Sequence, residues 1–276
     1  MILFEAVELT LSTRPTWREG KGAKTARINI AHVLDVIGGE IDVKDITTRH
    51  FDMITEAMMR SGKSGGTINR ITSALSTVLS HIRKKGYEAA KVEYERQKES
   101  RGRVEYFTEE EANRLINTAL LERDNLLLHD SIVFSCKTGC RQGELLKLTV
   151  DDVDIDKRTI VFNDTKNGQD HWLKMHEELV PILERRLRFS NDGLLFGWNN
   201  NDELLRHFKN LKAKAGFDET DKRVWHQLRH SVATWLCEKD VPLRTVMGVL
   251  NHSRVETTLR YAKASDRAVK AAIDLL

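Results

Sequence analysis

Residues 225–261 read WHQLRHSVATWLCEKDVPLRTVMGVLNHSRVETTLRY. Apolar positions at helical spacing predict helices near 227–237, 242–250 and 255–262. Between and on them sit His226, Arg229, His230, His252 and Tyr261. Two further cations lie upstream, Arg141 in KTGCRQGELLKL and Lys166 in NDTKNGQD. A tyrosine hydroxyl is a weak nucleophile at neutral pH, because its pKa lies near ~10. To attack a phosphodiester it must lose its proton. The charge on the pentacoordinate phosphorus must be stabilised, and the departing oxygen must gain a proton. Arginine suits the charge, since its planar fork matches phosphate oxygens bidentately. Histidine and lysine suit the proton transfers. In that chemistry Arg141 and Arg229 clamp the two non-bridging oxygens and Lys166 protonates the leaving 5′ oxygen. His226 serves the tyrosine as base or binds the phosphate, and His252 adds a hydrogen bond. Glu144 lies three residues beyond Arg141 on the same helix face and is placed to orient an arginine or a histidine.

Working outward, Thr108 and Glu111 form a capping box that opens a helix with Ala112, Leu115, Ile116 and Ala119 as its buried face. A domain therefore begins near 105. A helix over about 128–138 ends at Gly139, and Arg141 opens the next turn, with Leu145, Leu146 and Leu148 inside. The period then changes. Val153 with Ile155, Ile160 with Phe162, and His171 to Met175 predict three short strands, with turns at Asp156-Lys157-Arg158 and Asn167-Gly168. Helices resume over about 176–189 and 202–215. In the latter, Leu204, Phe208, Leu211 and Ala215 face inward, while Arg206, Lys209, Lys212 and Lys214 lie elsewhere around it.

The first part of the chain is helical. The stretch Ile2–Leu11, the set Ile30, Val33, Leu34 and Ile37, the set Phe51, Ile54 and Met58, and the set Ile71, Leu75, Val78, Leu79 and Ile82 predict a four-helix bundle over 1–86. Arg14, Arg18, Lys21, Lys24 and Arg27 cluster around one connection, and Lys63 with Arg70 flank another. Arg83, Lys84 and Lys85 follow. These are the candidate contacts to a phosphate backbone; each alone is ordinary solvated charge. Residues 87–104 carry dense charge and no persistent apolar face, and are expected to be a basic interdomain linker.

A hydrophobic share of 40% beside 31% charged residues describes a globular chain rather than a disordered one. No apolar run approaches the ~18 residues of a membrane span. The start, MILFEAVELT, has no basic n-region or long apolar run, so no signal peptide and a cytoplasmic address are expected. Cys136, Cys140 and Cys237 have no zinc or disulfide spacing and are expected as reduced core residues. The net charge is only +3. Residues 1–100 hold 16 Lys and Arg against 13 Asp and Glu, and the remainder is balanced, so local placement must carry any case for nucleic acid.

Taken together, the motifs resemble the tyrosine recombinases, or phage-type integrases. Thr138-Gly139-Cys140-Arg141-Gln142-Gly143-Glu144-Leu145 is similar to the family's T-G-x-R-x-x-E-L. His226-Gln227-Leu228-Arg229-His230 matches H-x-L-R-H, with a similar Ala233-Thr234 after it. Leu250-Asn251-His252 matches L-G-H, with Asn251 in place of glycine; asparagine tolerates left-handed backbone well. Tyr261 follows as nucleophile, and Lys166 falls in the hairpin turn where the family keeps a lysine. The resemblance covers about 105–265 strongly.

It implies a mainly α protein: an N-terminal helical bundle (a SAM-like core-binding domain, 1–86), then a mostly helical catalytic domain, 105–276, with a small antiparallel three-stranded sheet. It implies cutting and rejoining of double-stranded DNA through a 3′-phosphotyrosyl intermediate, as in integrating or excising a phage or other mobile element. One phosphoester replaces another, so neither ATP nor a metal cofactor is implied. The partner set implied is double-stranded DNA, four protomers on two duplexes, a tail (262–276) docking on a neighbouring protomer, and room for accessory DNA-bending proteins, with no membrane. The chain starts at the bundle, so no arm-binding domain is expected ahead of it. Taken singly, each motif has a plain structural explanation: Arg141 a surface ion pair, Lys166 a solvated turn, Tyr261 a half-buried aromatic. His230, which points away from Arg229, is the residue most readily given to internal packing. Trp198, Trp225 and Trp235 are expected in the core. Two other functions share the sequence features: a topoisomerase-like enzyme acting on one duplex, and a DNA-binding regulator without catalysis.

Overall fold

The computed structural model describes residues 1–19, 22–99, 104–122, 126–163, 168–190, 193–262 and 273–274. Lys21, Lys166 and nearly all of the tail lie outside the described residues. Two compact units form, Met1–Gly102 and Arg103–Leu276.

The first unit contains α1 (Leu3–Thr13), the single turn α2 (Pro15–Arg18), α3 (Ala23–Ile37), α4 (Thr48–Arg60) and α5 (Gly65–Lys84). Pro15 opens α2, where its missing N–H costs nothing. The predicted faces meet: Ile30, Val33, Phe51, Ile54, Met58, Ile71, Leu75, Val78, Leu79 and Ile82 share one buried core. α5 is its axis and packs against α1, α3 and α4.

The segment expected to be a linker departs from that expectation. Ala89, Ala90, Val92 and Tyr94 pack on the first unit's core. Tyr94 stacks on Phe51 with ring centroids 4.3 Å apart, and Ala90 N donates to Val43 O at 2.9 Å. Further on, Asn69 Nδ2 donates to Gln97 O and to Glu99 Oε1, both at 2.9 Å. Residues 87–99 are thus an extended strap on the first domain. The strap's apolar face has a period of two, not 3.6: Ala90, Val92 and Tyr94 turn inward while Lys91, Glu93 and Glu95 are exposed. Gly65 is needed where the strap crosses the start of α5, since a Cβ there would come 2.4 Å from Lys98 O.

The second unit opens on α6 (Glu109–Leu121). Its capping box is present, with Glu111 N to Thr108 Oγ1 at 3.1 Å and Thr108 N to Glu111 Oε2 at 2.9 Å. The central helix is α7 (Leu126–Thr138), buried on most faces between α6, α10 and α11. Its one buried carboxylate, Asp130, is paired with Arg186 Nε at 2.8 Å, Arg185 Nε at 3.2 Å and His129 Nδ1 at 2.9 Å. The short α8 (Gln142–Lys147) leads into an antiparallel sheet of β1 (Val153–Asp154), β2 (Thr159–Phe162) and β3 (His171–Lys174) in that order. Its last pair is Phe162 opposite His171. Then come α9 (Val180–Phe189), α10 (Asn201–Lys214), α11 (His226–Glu238), α12 (Leu243–Leu250) and α13 (Val255–Leu259).

Leu204, Phe208 and Leu211 face inward as expected. Lys212 departs from expectation. It is buried, with Nζ donating to Asp221 O at 2.9 Å and Arg223 O at 2.6 Å and facing the Asp221 carboxylate at 3.1 Å. Trp198 and Trp225 are core residues, and the half-buried Trp235 donates to Phe107 O at 3.0 Å. The three cysteines are unpaired, and burial pushes the Cys136 and Cys140 thiols up to about 12 and about 11. No helix among the described residues is long and apolar enough to cross a membrane.

Candidate active site

The site is assembled on the carbonyl end of α12. Helix α7 stops at Thr138, and Gly139 turns the chain at φ +63°. A Cβ at Gly139 would lie 2.4 Å from Leu250 Cδ2 and 3.2 Å from Val232 Cγ1, so only glycine lets α7, α11 and α12 meet there. Two residues on, Arg141 caps α8. Its backbone N–H donates to Glu144 Oε2 and its Nη1 to Glu144 Oε1, each at 2.7 Å. Its Nη2 donates to Asn251 O at 3.1 Å. Glu144 therefore orients an arginine, one of the two roles expected of it.

Arg229, on α11, is only 6% exposed. Its Nη1 donates to Gly139 O at 2.7 Å, and its Nη2 donates to Leu250 O. Burial first, then the Arg141 charge, lowers its pKa to about 10, so it stays charged at neutral pH. His171 Nε2 lies 2.8 Å from Gly248 O, and since a carbonyl only accepts, that nitrogen carries the proton. Gly248 O, Leu250 O and Asn251 O thus gather a histidine and both arginines at the negative end of a helix, where donors are favoured. The two guanidiniums are fixed before any anion arrives.

Asn251 then takes left-handed backbone, φ 50° and ψ 53°, as its tolerance of that region allows. The turn delivers His252, whose Nδ1 lies 2.8 Å from Thr258 Oγ1. Burial, then Arg229 and Arg141, lowers His252 to about 4, so the ring is neutral. α13 ends at Leu259, short of the expected 262, and a turn closed by Tyr261 N to Thr258 O at 3.0 Å follows. That turn sets Tyr261 inward, 9% exposed. Its ring lies parallel to His252 at 6.5 Å. Its hydroxyl is hydrogen-bonded to Nδ1 of His230. Burial raises the Tyr261 pKa against the opposing charges of Arg260 and Arg229. Burial, then His226, Arg260 and Arg229, lowers His230 to about 4.

The structure therefore brings Arg141, Glu144, Arg229, His230, His252 and Tyr261 together. His226 begins α11, exposed, with its ring edge-on to His230 at 4.8 Å. Lys166 lies outside the described residues; the strands before and after it in sequence, β2 and β3, are paired. His230 does bond internally, as expected, but its partner is the tyrosine hydroxyl. The sequence places His171 only on a strand; its one signal is that it opens β3, opposite Phe162. No group of three or more His, Cys, Asp or Glu suited to a metal occurs among the described residues.

Of the basic candidates on the first unit, Lys24, Arg27, Lys63, Arg70, Lys84 and Lys85 are exposed. Arg18 is exposed but pairs with Glu19 at 2.6 Å. Arg14 is half-buried beside the Trp17 ring, and Arg83 is half-buried and donates to Ala90 O of the strap. A groove of about 360 Å³ is lined by Trp17, Thr25, Asn29, Asn69, Arg70 and Arg96, among others.

Residues 105–268 match the phage integrase family, and the chain belongs to that family, the tyrosine recombinases. It is thus a site-specific recombinase by class. Among curated relatives, the tyrosine recombinase XerA of Pyrococcus horikoshii is 26% identical over 77% of this chain and 75% of its own length. XerA of Thermococcus kodakarensis is 26% identical over 90% of this chain and 87% of its own. Among solved structures, the Tn1549 transposon integrase in complex with transposon right end DNA superposes with a TM-score of 0.80 at 16% identity, covering 99% of both chains. A lambda integrase dimer bound to a COC′ core site superposes at 0.75 with 18% identity, covering 97% of both. The fold is the one expected, mostly helical with a small antiparallel sheet.

Proposed function

We propose that the chain cuts and rejoins double-stranded DNA at specific sites, with Tyr261 as nucleophile, to integrate or excise a mobile element such as a phage. The observation that carries this is a buried tyrosine hydroxyl, held by a histidine, beside two arginines already anchored on helix-end carbonyls. Tyr261 Oη attacks the scissile phosphorus and the P–O5′ bond breaks. Arg141 and Arg229 hold the non-bridging oxygens, a preorganised stabilisation worth a few kcal/mol per donor. His226, at the exposed start of α11, and His252 bind the same phosphate. Lys166 gives the 5′ oxygen its proton. The product is a 3′-phosphotyrosyl link, and the 5′ hydroxyl of a partner strand reverses the step with no net change in bond type.

The exposed cations of the first domain, Lys24, Arg27, Lys63 and Arg70 foremost, track the duplex backbone. Four protomers act on two duplexes; lambda integrase has been solved as a tetramer bound to a Holliday junction. The work is done where the DNA is, in the cytoplasm of a bacterial or phage-infected cell. The test is strand exchange between labelled duplexes carrying DNA that flanks the gene. Exchange between two molecules supports integration, and exchange between two sites on one molecule supports excision. Relaxation of supercoils without exchange would favour the topoisomerase reading, and binding without cleavage would favour a regulator.

A further inference from the structure

Two histidines, His230 and His252, lie against Tyr261 and a third, His226, lies against His230, and chemistry alone does not say which takes the tyrosine proton. His252 faces Tyr261 ring to ring at 6.5 Å, and its Nδ1 is engaged by the buried Thr258 hydroxyl. His226 lies edge-on to His230, with ring centroids 4.8 Å apart. The nitrogen in hydrogen-bond contact with the Tyr261 oxygen is His230 Nδ1. Helix geometry explains why. Consecutive residues on α11 diverge by ~100°, so when Arg229 is aimed at Gly139 O and Leu250 O, its neighbour is turned toward the chain after α13.

We propose that His230, and not His226 or His252, is the proton acceptor for Tyr261. The inference rests on the nucleophile reading above. As Oη bonds to phosphorus, the Oη–H bond breaks and its proton passes to Nδ1. The P–O5′ bond breaks, and O5′ is protonated by Lys166. In the return step the attacking 5′ hydroxyl gives its proton to Lys166 and His230 gives its own back to Oη as Oη leaves phosphorus, so protons balance over the cycle. The groups facing His230 are His226 and Arg229 on its own helix, Arg260 and Tyr261 after α13, and His252 after α12. Two of them are arginines and, among the described residues, none is a carboxylate, so the ring is kept neutral and ready to accept. The same positive surroundings return the proton readily. His226 is left to bind the phosphate.

The test uses His230→Asn. An asparagine amide oxygen stands near the place of Nδ1 and accepts the hydrogen bond, but takes no proton. The full-length variant, checked for unchanged melting and DNA affinity, is run beside wild type and Tyr261→Phe on a nicked suicide substrate. Wild type, His230→Asn and His226→Gln are also made with 3,5-difluorotyrosine at 261, whose hydroxyl ionises more readily. The expected result is a cleavage rate 10²–10⁴-fold below wild type for His230→Asn, about the worth of a positioned base. The fluorinated nucleophile should restore about tenfold or more of that loss. His226→Gln should show no such rescue. Wild-type rates in His230→Asn, or a defect that difluorotyrosine leaves untouched, would overturn the proposal while the nucleophile reading stands. His230→Ala serves if Asn fails to fold. A wild-type enzyme that binds the site and forms no adduct would overturn the nucleophile reading itself, and the inference with it.

Discussion

Gly139 is where backbone, packing and chemistry meet, and Gly139→Ala puts a number on it. Two costs add. The position has φ +63°, which a Cβ disfavours by about 1–2 kcal/mol. The new Cβ also comes 2.4 Å from Leu250 Cδ2, on a fully buried side chain, and overpacking of that kind costs about 1–3 kcal/mol. The total is about 2–5 kcal/mol. Leu250→Ala alone leaves a cavity and also costs about 2–5 kcal/mol. The double variant removes the atom that the new Cβ meets, so it should recover the packing part and keep the backbone part. A coupling of about 1–3 kcal/mol is therefore expected. Urea unfolding followed by tryptophan fluorescence reads it, because Trp172, Trp198, Trp225 and Trp235 all lie in the second unit. Strict additivity would refute the close approach. Activity adds a second readout: Gly139 O holds Arg229, so cleavage should fall further than stability explains.

Three more expectations follow from the same geometry. His230 and His252 have folded pKa values near about 4 against a usual 6.5, so below pH 6.5 the unfolded chain takes up protons first. Stability should be full above pH 6.5 and fall as pH drops toward 4, by roughly 1–2 kcal/mol per ring after allowing for their partial exposure; denaturation midpoints at pH 7.5 and 5 check this, and His230→Asn should flatten the slope. Asp130→Ala leaves Arg185 and Arg186 facing an emptied buried site and should cost about 3–5 kcal/mol, read as a lowered melting temperature. His171→Phe keeps the ring against Phe162 and loses the bond to Gly248 O, so it should cost about 0.5–1.5 kcal/mol in stability while slowing cleavage, and an unchanged cleavage rate would remove His171 from the site.

Much of the site was legible because its residues sit in short motifs whose local structure is set locally. Arg141 caps a helix, Asn251 takes a left-handed turn, and Glu144 lies one turn from the arginine it holds. The helical faces of the bundle were legible for the same reason. What was missed depends on partners distant in sequence. His230 and Tyr261 are 31 residues apart, and no periodicity says which histidine the turn after α13 will meet. His171 is bonded to a carbonyl 77 residues away. Lys212 reads as a surface cation, yet the loop at 221–223 folds its carbonyls over the ammonium. The strap at 87–99 reads as a linker because an alternating pattern of small and aromatic residues is faint beside a helical stripe.

The central claim is that Tyr261 forms the covalent bond to DNA. The direct measurement is mass spectrometry of the adduct trapped on a suicide substrate, after nuclease and protease digestion. The account predicts a 3′-nucleotide phosphodiester on the peptide containing Tyr261, and no adduct from Tyr261→Phe. A nucleotide on any other residue, or an adduct that survives Tyr261→Phe, would contradict it.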